Sequence, residues 1–122
     1  MEQLLLHLFG DYILQNNAVG TRKKEKSLTG LMYCIFHCIT YAIPFLLITN
    51  WKACLAIAIG HFLIDRWYVV SAFISIKNLE RDGSNLGFPV ETPPWMSTWL
   101  YIIQDNTLHL IWNYFVILYI GN

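Results

Sequence analysis

The chain has 122 residues, of which 56% are hydrophobic, 16% aromatic and only 13% charged, and its formal net charge is zero. This composition, with a mean hydropathy of +0.43, excludes an ordinary soluble domain and predicts a membrane protein. The balanced charge gives no indication of a nucleic-acid partner.

The cysteines and the N-terminus carry no signal for export or for a zinc motif. Cys34, Cys38 and Cys54 fall inside apolar segments and form no CxxC pair, so we expect small buried side chains rather than disulfides or zinc ligands. The first residues include Glu2 and lack a basic region and a small-residue cleavage site, so no cleavable signal peptide is expected.

The first predicted element is a helix over residues 2–17, whose apolar stretch is too short to span a bilayer comfortably. We interpret it as a short tilted span or a re-entrant helix. One face carries His7, Asp11 and Gln15 at i, i+4 and i+8, and such a face must contact protein or water rather than lipid. Residues 18–27 follow as a loop with a dense run of cations, which predicts a cytoplasmic location.

Two longer helices come next. The first covers residues 28–48, with Ser27 as its N-cap, His37 at mid-depth and a kink at Pro44. After a tight connection, residues 51–76 form the second helix, which returns the chain to the cytoplasmic side.

The final part of the chain is predicted to be a loop and one more helix. Residues 78–95 are rich in turn formers and make a second cytoplasmic loop, long enough to act as a lid. The last helix covers residues 97–120 and starts at Ser97 or Thr98. The predicted fold is therefore a single all-α domain over residues 1–122: an integral membrane helical bundle with three transmembrane helices plus the short N-terminal helix.

Histidine and aspartate stand four residues apart three times in these apolar segments. The pairs are His7 with Asp11, His61 with Asp65, and Asp105 with His109. Positions i and i+4 share one face of an α-helix, so each pair can share a proton, a metal ion or a polar partner. At a rise of about 1.5 Å per residue, the pairs and His37 lie about 10–24 Å from the cytoplasmic ends of their helices. The helices are therefore expected to bring them into one layer, reached from the cytoplasmic side.

Ionisable side chains at this depth are costly, at roughly 2.5–3.5 kcal/mol each on insertion scales. They must satisfy one another, a metal ion or a water-filled cavity. Imidazole and carboxylate are good ligands for divalent ions, so we predict one or two ions, zinc or manganese above others. The predicted metal ligands are His7, Asp11, His37, His61, Asp65, Asp105 and His109. Asp65, Asp105 and His109 are also the candidate catalytic acid and base groups.

These polar positions also carry a family resemblance. The opening segment HLFGDYILQ at residues 7–15, the lysine-containing loop, His37, the HxxxD at His61, and Gln104-Asp105 before His109 are similar to the domain-of-unknown-function 3307 family of small bacterial and phage membrane proteins. The resemblance covers nearly the whole chain and implies a helical membrane protein with these positions in common. More distantly, the chain resembles inner-membrane metal-dependent hydrolases whose helices carry histidine and aspartate.

One position departs from the pattern that the resemblance implies. A lysine is expected shortly after the HxxxD of the third helix, and Arg66, Trp67 and Tyr68 stand there instead. Arg66 is expected either to bind an anionic substrate or to extend to the lipid headgroups.

The leading functional prediction is a membrane-embedded metal-dependent hydrolase in the bacterial inner membrane, acting on a phosphoester or lipid-linked substrate. One alternative is a proton- or ion-translocating protein, which would need a water path to both faces of the membrane. The other is a non-catalytic phage or bacterial effector that binds a host membrane protein and uses the polar cluster only to set helix packing. The expected partners are the lipid bilayer, the substrate, and either a second copy of the chain or another membrane protein.

Overall fold

We describe the fold from a computed structural model, which covers residues 1–121. Within these residues the chain forms helices and connecting loops without a strand, which confirms the predicted all-α class. The elements are α1 (Glu2–Leu8) with a π-helical turn (Phe9–Ile13), α2 (Asn17–Arg22), α3 (Leu28–Ala42) with a 3-10 extension (Ile43–Leu47), α4 (Trp51–Arg66), α5 (Val69–Asn78), a 3-10 turn (Gly83–Asn85) and α6 (Pro94–Ile120).

The N-terminal part differs from the single helix predicted over residues 2–17. The chain widens into a π-helical turn at Phe9, where Gly10 packs directly against the ring of Tyr41. A new helix, α2, then begins inside the predicted loop because the Asn16 side chain accepts a hydrogen bond from the Val19 amide and caps it. The loop over 18–27 is therefore partly helical.

Helix α3 starts where the sequence predicted. Ser27 accepts a hydrogen bond from the amide of Gly30, which confirms its role as the N-cap. At Pro44 the α-helix gives way to 3-10 geometry, since proline cannot donate the hydrogen bond that continues an α-helix. Asn50 caps the following helix through the amide of Ala53, and α4 packs against both α3 and α6.

The structure interrupts the helix that was predicted over residues 51–76. The chain leaves α-helical geometry at Trp67, Tyr68 adopts a left-handed conformation with φ of 53°, and α5 continues at 59° to α4. Such a conformation is unfavourable for a bulky side chain, and no glycine or proline at residues 66–69 indicates a break in the helix. The bend leaves Asp65 in the last turn of α4, beside the loop that follows α2.

Two apolar clusters hold the helices together. The larger contains Tyr41, Phe45 and Ile57, and the smaller contains Val70, Ile74 and Phe88. Along the chain, His61 and Asp65 fall between Ile57 of the larger cluster and Val70 of the smaller one. Asp105 and His109 fall between Tyr101, which packs against the smaller cluster, and Val116 of the larger one. The polar residues therefore lie in a layer with an apolar core on each side.

Hydrogen bonds and one buried side chain hold the connection between α5 and α6 in place. Asn85 donates to the carbonyl groups of Pro89 and Thr92 and accepts from the Ser97 hydroxyl, while Phe88 is buried. Helix α6 begins at Pro94 instead of Ser97, in accord with the preference of proline for the first turn of a helix.

Among residues 1–121, one helix, Leu28–Leu47, is long and apolar enough to cross a bilayer. The bent pair Trp51–Arg66 and Val69–Asn78 passes the same test only if both helices count as a single broken span.

Candidate metal centre

The structure brings all the predicted site residues into one connected cluster. His7 comes from α1 and Asp11 from the π-helical turn, His37 from α3, His61 and Asp65 from α4, and Asp105 and His109 from α6. Each of the four histidines is at most 1% exposed and Asp65 is 4% exposed. The i, i+4 spacing places each pair on one helix face, and helix packing then turns these faces toward one another.

The tightest group consists of Asp11, His37 and His61, whose ligand atoms all lie within 4.8 Å of one another. The Nε2 atoms of His37 and His61 are 2.9 Å apart, and Asp11 Oδ1 lies 3.2 and 3.4 Å from them. Asp65 Oδ2 lies 3.7 Å from His37 Nε2 and 3.5 Å from His61 Nε2. Neighbouring ligands in a tetrahedral zinc site are about 3.3 Å apart, given bonds of about 2.0–2.1 Å. Asp11, His37 and His61 therefore have the spacing that one ion requires, and Asp65 Oδ2 lies beside both imidazoles.

A second group, formed by His61, Asp65 and His109, shares His61 with the first. His109 Nε2 lies 3.3 Å from Asp65 Oδ1, and the ring of His109 stacks on that of His61 with centroids 4.1 Å apart. Because both groups use His61, an ion in one group changes the ligands left for the other. Asp105 lies at the edge, with Oδ2 3.8 Å from His109 Nε2 and its side chain 23% exposed.

Several buried atoms of the cluster have no hydrogen-bond partner. Asp11 Oδ1 and His109 Nε2 are among them, although each lies close to groups of opposite charge. Such atoms are costly to bury, and a bound cation would satisfy them. The Nδ1 atoms of His37 and His61 also have no hydrogen-bond partner among residues 1–121.

His7 is engaged differently from the other histidines. Its Nε2 donates to Asn106 Oδ1 at 2.6 Å, so its Nδ1 is left to accept from the Tyr41 hydroxyl at 2.7 Å. Asn113 in turn donates to the Tyr41 oxygen at 2.6 Å. Both nitrogens of His7 therefore have protein partners, and in this arrangement neither is free to bind an ion.

The sequence analysis missed Lys23, which it treated as part of a basic topology signal. The Lys23 ammonium contacts Asp65 Oδ2 at 2.5 Å, and its side chain is only 11% exposed. The only hint in the sequence is the basic run itself, and nothing there indicates which lysine points inward.

Arg66 contacts the backbone of the basic segment. Its guanidinium donates to the backbone carbonyl groups of Lys23 and Glu25, at 3.2 and 2.6 Å. The Tyr68 hydroxyl adds a hydrogen bond to the carbonyl of Lys24. Arg66 and Tyr68 therefore clamp the segment Lys23–Glu25 onto the end of α4.

Lys24 adds a second cation at the same end of the bundle. Its ammonium donates to the Tyr101 hydroxyl at 3.3 Å and lies over the rings of Tyr101 and Tyr68. Burial on its own lowers the pKa of this lysine, but Tyr101 and the carboxylates of Asp65 and Asp105 outweigh that effect and raise the pKa above its usual value. Lys24 therefore remains cationic.

A small polar cavity leads from the surface to the cluster. It measures about 90 Å³, enough for roughly three waters at about 30 Å³ each. The residues that line it are Asp11, Tyr12, Gln15, Lys23, Asp65 and Asp105. The α5–α6 connection contributes none of them, so the predicted lid does not cover this cavity. Water or a small ion can reach the carboxylates by this route.

Comparison with known proteins gives one match. A family model described as "Protein of unknown function (DUF3307)" matches residues 1–121, which confirms the resemblance found in the sequence. No curated protein and no solved structure matches the chain.

Proposed function

Since the chain belongs to the DUF3307 family, whose description assigns no activity, we propose a function from the site itself: a membrane-embedded metal-dependent hydrolase. Its substrate is a phosphoester or a lipid-linked compound. The proposal rests on one observation above the others, the convergence of Asp11 Oδ1, His37 Nε2 and His61 Nε2 at distances that suit one divalent ion, with Asp65 Oδ2 beside both imidazoles.

The remaining residues of the cluster support hydrolytic chemistry. A divalent ion held by these residues would act as a Lewis acid and would make water a better nucleophile near neutral pH. Asp105 is positioned for proton transfer because it lines the cavity and also lies near His109. His109 Nε2 lies 3.3 Å from Asp65 Oδ1 and 3.8 Å from Asp105 Oδ2, so a proton on this nitrogen lies near both carboxylates.

The side chains that face outward support the proposed placement in a membrane. The histidines lie inside the bundle, whereas many large apolar side chains are exposed on its outside. Exposed examples on α3 and α6 are Met32, Phe36, Ile39, Ile111 and Phe115. We propose that α3 and the bent α4–α5 pair, which have the length and apolar composition of spans, cross the bacterial inner membrane together with α6, with the basic segment and the cavity on the cytoplasmic side.

Ion or proton translocation is the main alternative. The chain of contacts from Lys23 through Asp65, His61 and Asp11 would suit a relay. It continues through His7 and Tyr41 to Asn113, and there it meets the apolar cluster around Phe45 and Ile57. A polar path that ends against an apolar core favours a binding site over a channel.

The test of the proposal is metal analysis of the full-length protein purified in mild detergent without chelator. We expect one or two equivalents of zinc or manganese in the wild type. His61→Ala removes a ligand from both groups and should weaken metal affinity by at least about tenfold, by analogy with losses in metal sites of known structure. Glu91→Gln, an exposed site, is the control and should retain the ion.

The same preparation distinguishes the rival functions. Hydrolysis of bis-p-nitrophenyl phosphate by the wild type, lost on Asp65→Asn, is the result expected for a hydrolase. A wild type without metal rules the hydrolase out. If Asp65→Asn leaves every measurable function intact, the cluster serves only helix packing, as a non-catalytic effector that binds a membrane partner would require.

A further inference from the structure

Lys23 contacts the Asp65 oxygen that lies beside the candidate ion site. Its Nζ contacts Asp65 Oδ2, the same oxygen that faces His37 Nε2 and His61 Nε2 at 3.7 and 3.5 Å. The side chain is nearly buried, so the ammonium belongs to the cluster rather than to the solvent-exposed surface. A protonated lysine has no lone pair to offer a metal, so Lys23 acts as a counter-ion and not as a ligand.

The backbone around Lys23 is held independently of its side chain. Arg66 binds the carbonyl groups of Lys23 and Glu25, and Tyr68 binds that of Lys24. These contacts are made at the end of α4, directly beside Asp65. The ammonium can therefore leave Asp65 while the segment stays in place.

Lys23 and a divalent ion cannot easily share this cluster. An ion bound by Asp11, His37 and His61 would lie about 2 Å from each ligand atom and hence within a few ångströms of the ammonium on Asp65. Two cations at that distance repel strongly in a buried site, where water screens them poorly. Binding of one is therefore expected to expel the other.

We propose that Lys23 is a built-in cation that closes the metal site: it neutralises Asp65 in the metal-free protein and swings into the mouth of the cavity when the ion binds. This inference rests on the proposed function and describes the regulation of the same site. The mouth also contains Tyr12 and Gln15, so the released ammonium stays at the entrance, where it can attract an anionic substrate.

The first test compares zinc affinity among variants of the full-length protein in detergent, measured by competition with a chromophoric chelator. Lys23→Met keeps the length of the side chain and removes its charge. If the closed arrangement makes up about nine-tenths of the metal-free protein, its loss tightens zinc binding about tenfold. Lys26→Met, an exposed lysine three positions on, should bind zinc as the wild type does.

The second test uses the wild type alone, so it does not depend on the stability of a variant. Acylation of lysines by a water-soluble ester is followed by peptide mass spectrometry, with Lys26 as an internal reference. Lys23 should be protected without zinc and should approach the reactivity of Lys26 when zinc is saturating. Protection that persists with zinc overturns the proposal.

The outcomes separate this inference from the metal proposal itself. If the wild type binds zinc and Lys23→Met binds it no more tightly, only the role of Lys23 fails. If neither protein binds zinc or manganese, the metal site fails and the inference fails with it.

Discussion

Tyr41 shows how a residue from an apolar stretch organises the polar cluster. Its side chain is fully buried, its hydroxyl accepts from Asn113 and donates to His7, and its ring stacks on that of His61 with centroids 3.8 Å apart. Its ring also packs against Gly10, where an added Cβ would lie 2.5 Å from Tyr41 Cδ2. One aromatic side chain therefore connects α1, α3, α4 and α6 at the level of the site.

Removing only the hydroxyl tests this role. Tyr41→Phe leaves the Asn113 amide and the His7 nitrogen buried without their partner, so we expect the free energy of unfolding to fall by about 1–3 kcal/mol. Chemical denaturation in mild detergent measures the change. Tyr119→Phe, at an exposed position, is the matched control and should be neutral. Equal stability of the two variants contradicts the proposed network.

The candidate ligands were accessible to sequence reasoning because each pair follows from helix periodicity. An aspartate four residues from a histidine in an apolar helix must face the same partner, wherever that helix packs. Lys23, Tyr41 and Asn113 have no such local signal. Their roles depend on contacts between residues that lie far apart in the chain. The separation is 34 positions for His7 with Tyr41, 42 for Lys23 with Asp65 and 72 for Tyr41 with Asn113.

At the scale of the helices, the contact of α4 with α6 depends on a glycine. A Cβ added to Gly60 would lie 1.9 Å from Trp112 Nε1, and that indole nitrogen donates to the carbonyl of Ala56. The close approach lets the rings of His61 and His109 stack one residue further along α4. Gly60 is therefore a packing requirement of the site and not a helix breaker.

The variant Gly60→Ala tests whether helix propensity or side-chain packing has the larger effect on stability at this position. Alanine favours an isolated helix over glycine by about 1 kcal/mol. Because the added methyl would overlap Trp112, overpacking should prevail, at about 1–3 kcal/mol, and give a net loss of thermal stability. The control is Gly83→Ala, where the new Cβ meets nothing within 4 Å. A Gly60→Ala protein that melts with or above the wild type would refute this account of the α4–α6 contact.

The whole molecule combines a buried polar layer with many exposed apolar side chains. The four histidines are buried between two apolar clusters, while Leu47, Trp51 and Phe115 are among the exposed apolar side chains. In the proposed membrane location, a bilayer would cover these exposed side chains, and the buried polar groups would have to satisfy one another.

Fractionation of cells that express the chain tests this placement. We expect the full chain to remain with the membrane fraction after extraction with alkaline carbonate, which releases peripheral proteins, and to be solubilised only by detergent. The physical reason is the burial of the exposed apolar side chains in lipid. Release into the carbonate supernatant would contradict a membrane-spanning bundle.

The amino-acid sequence was enough to predict the helical class, the N-cap at Ser27 and the placement of each His/Asp pair on one helix face. These features depend on residues at most four positions apart, so local hydrogen bonding and helix geometry are enough to specify them. The residue types of the pairs also indicated their chemistry, because imidazoles and carboxylates in apolar helices need a polar partner or an ion.

Which atoms of distant residues come into contact depends on the tertiary packing. The packed helices bring the Lys23 ammonium into contact with Asp65, and both nitrogens of His7 form hydrogen bonds. Arg66 binds backbone carbonyl groups of the basic segment, and the third predicted helix is interrupted at Tyr68. Each of these outcomes depends on packing between distant segments, which can override local preference, as the left-handed tyrosine shows. The candidate ligands could thus be predicted from the sequence, whereas the contact of Lys23 with Asp65 depends on how the helices pack.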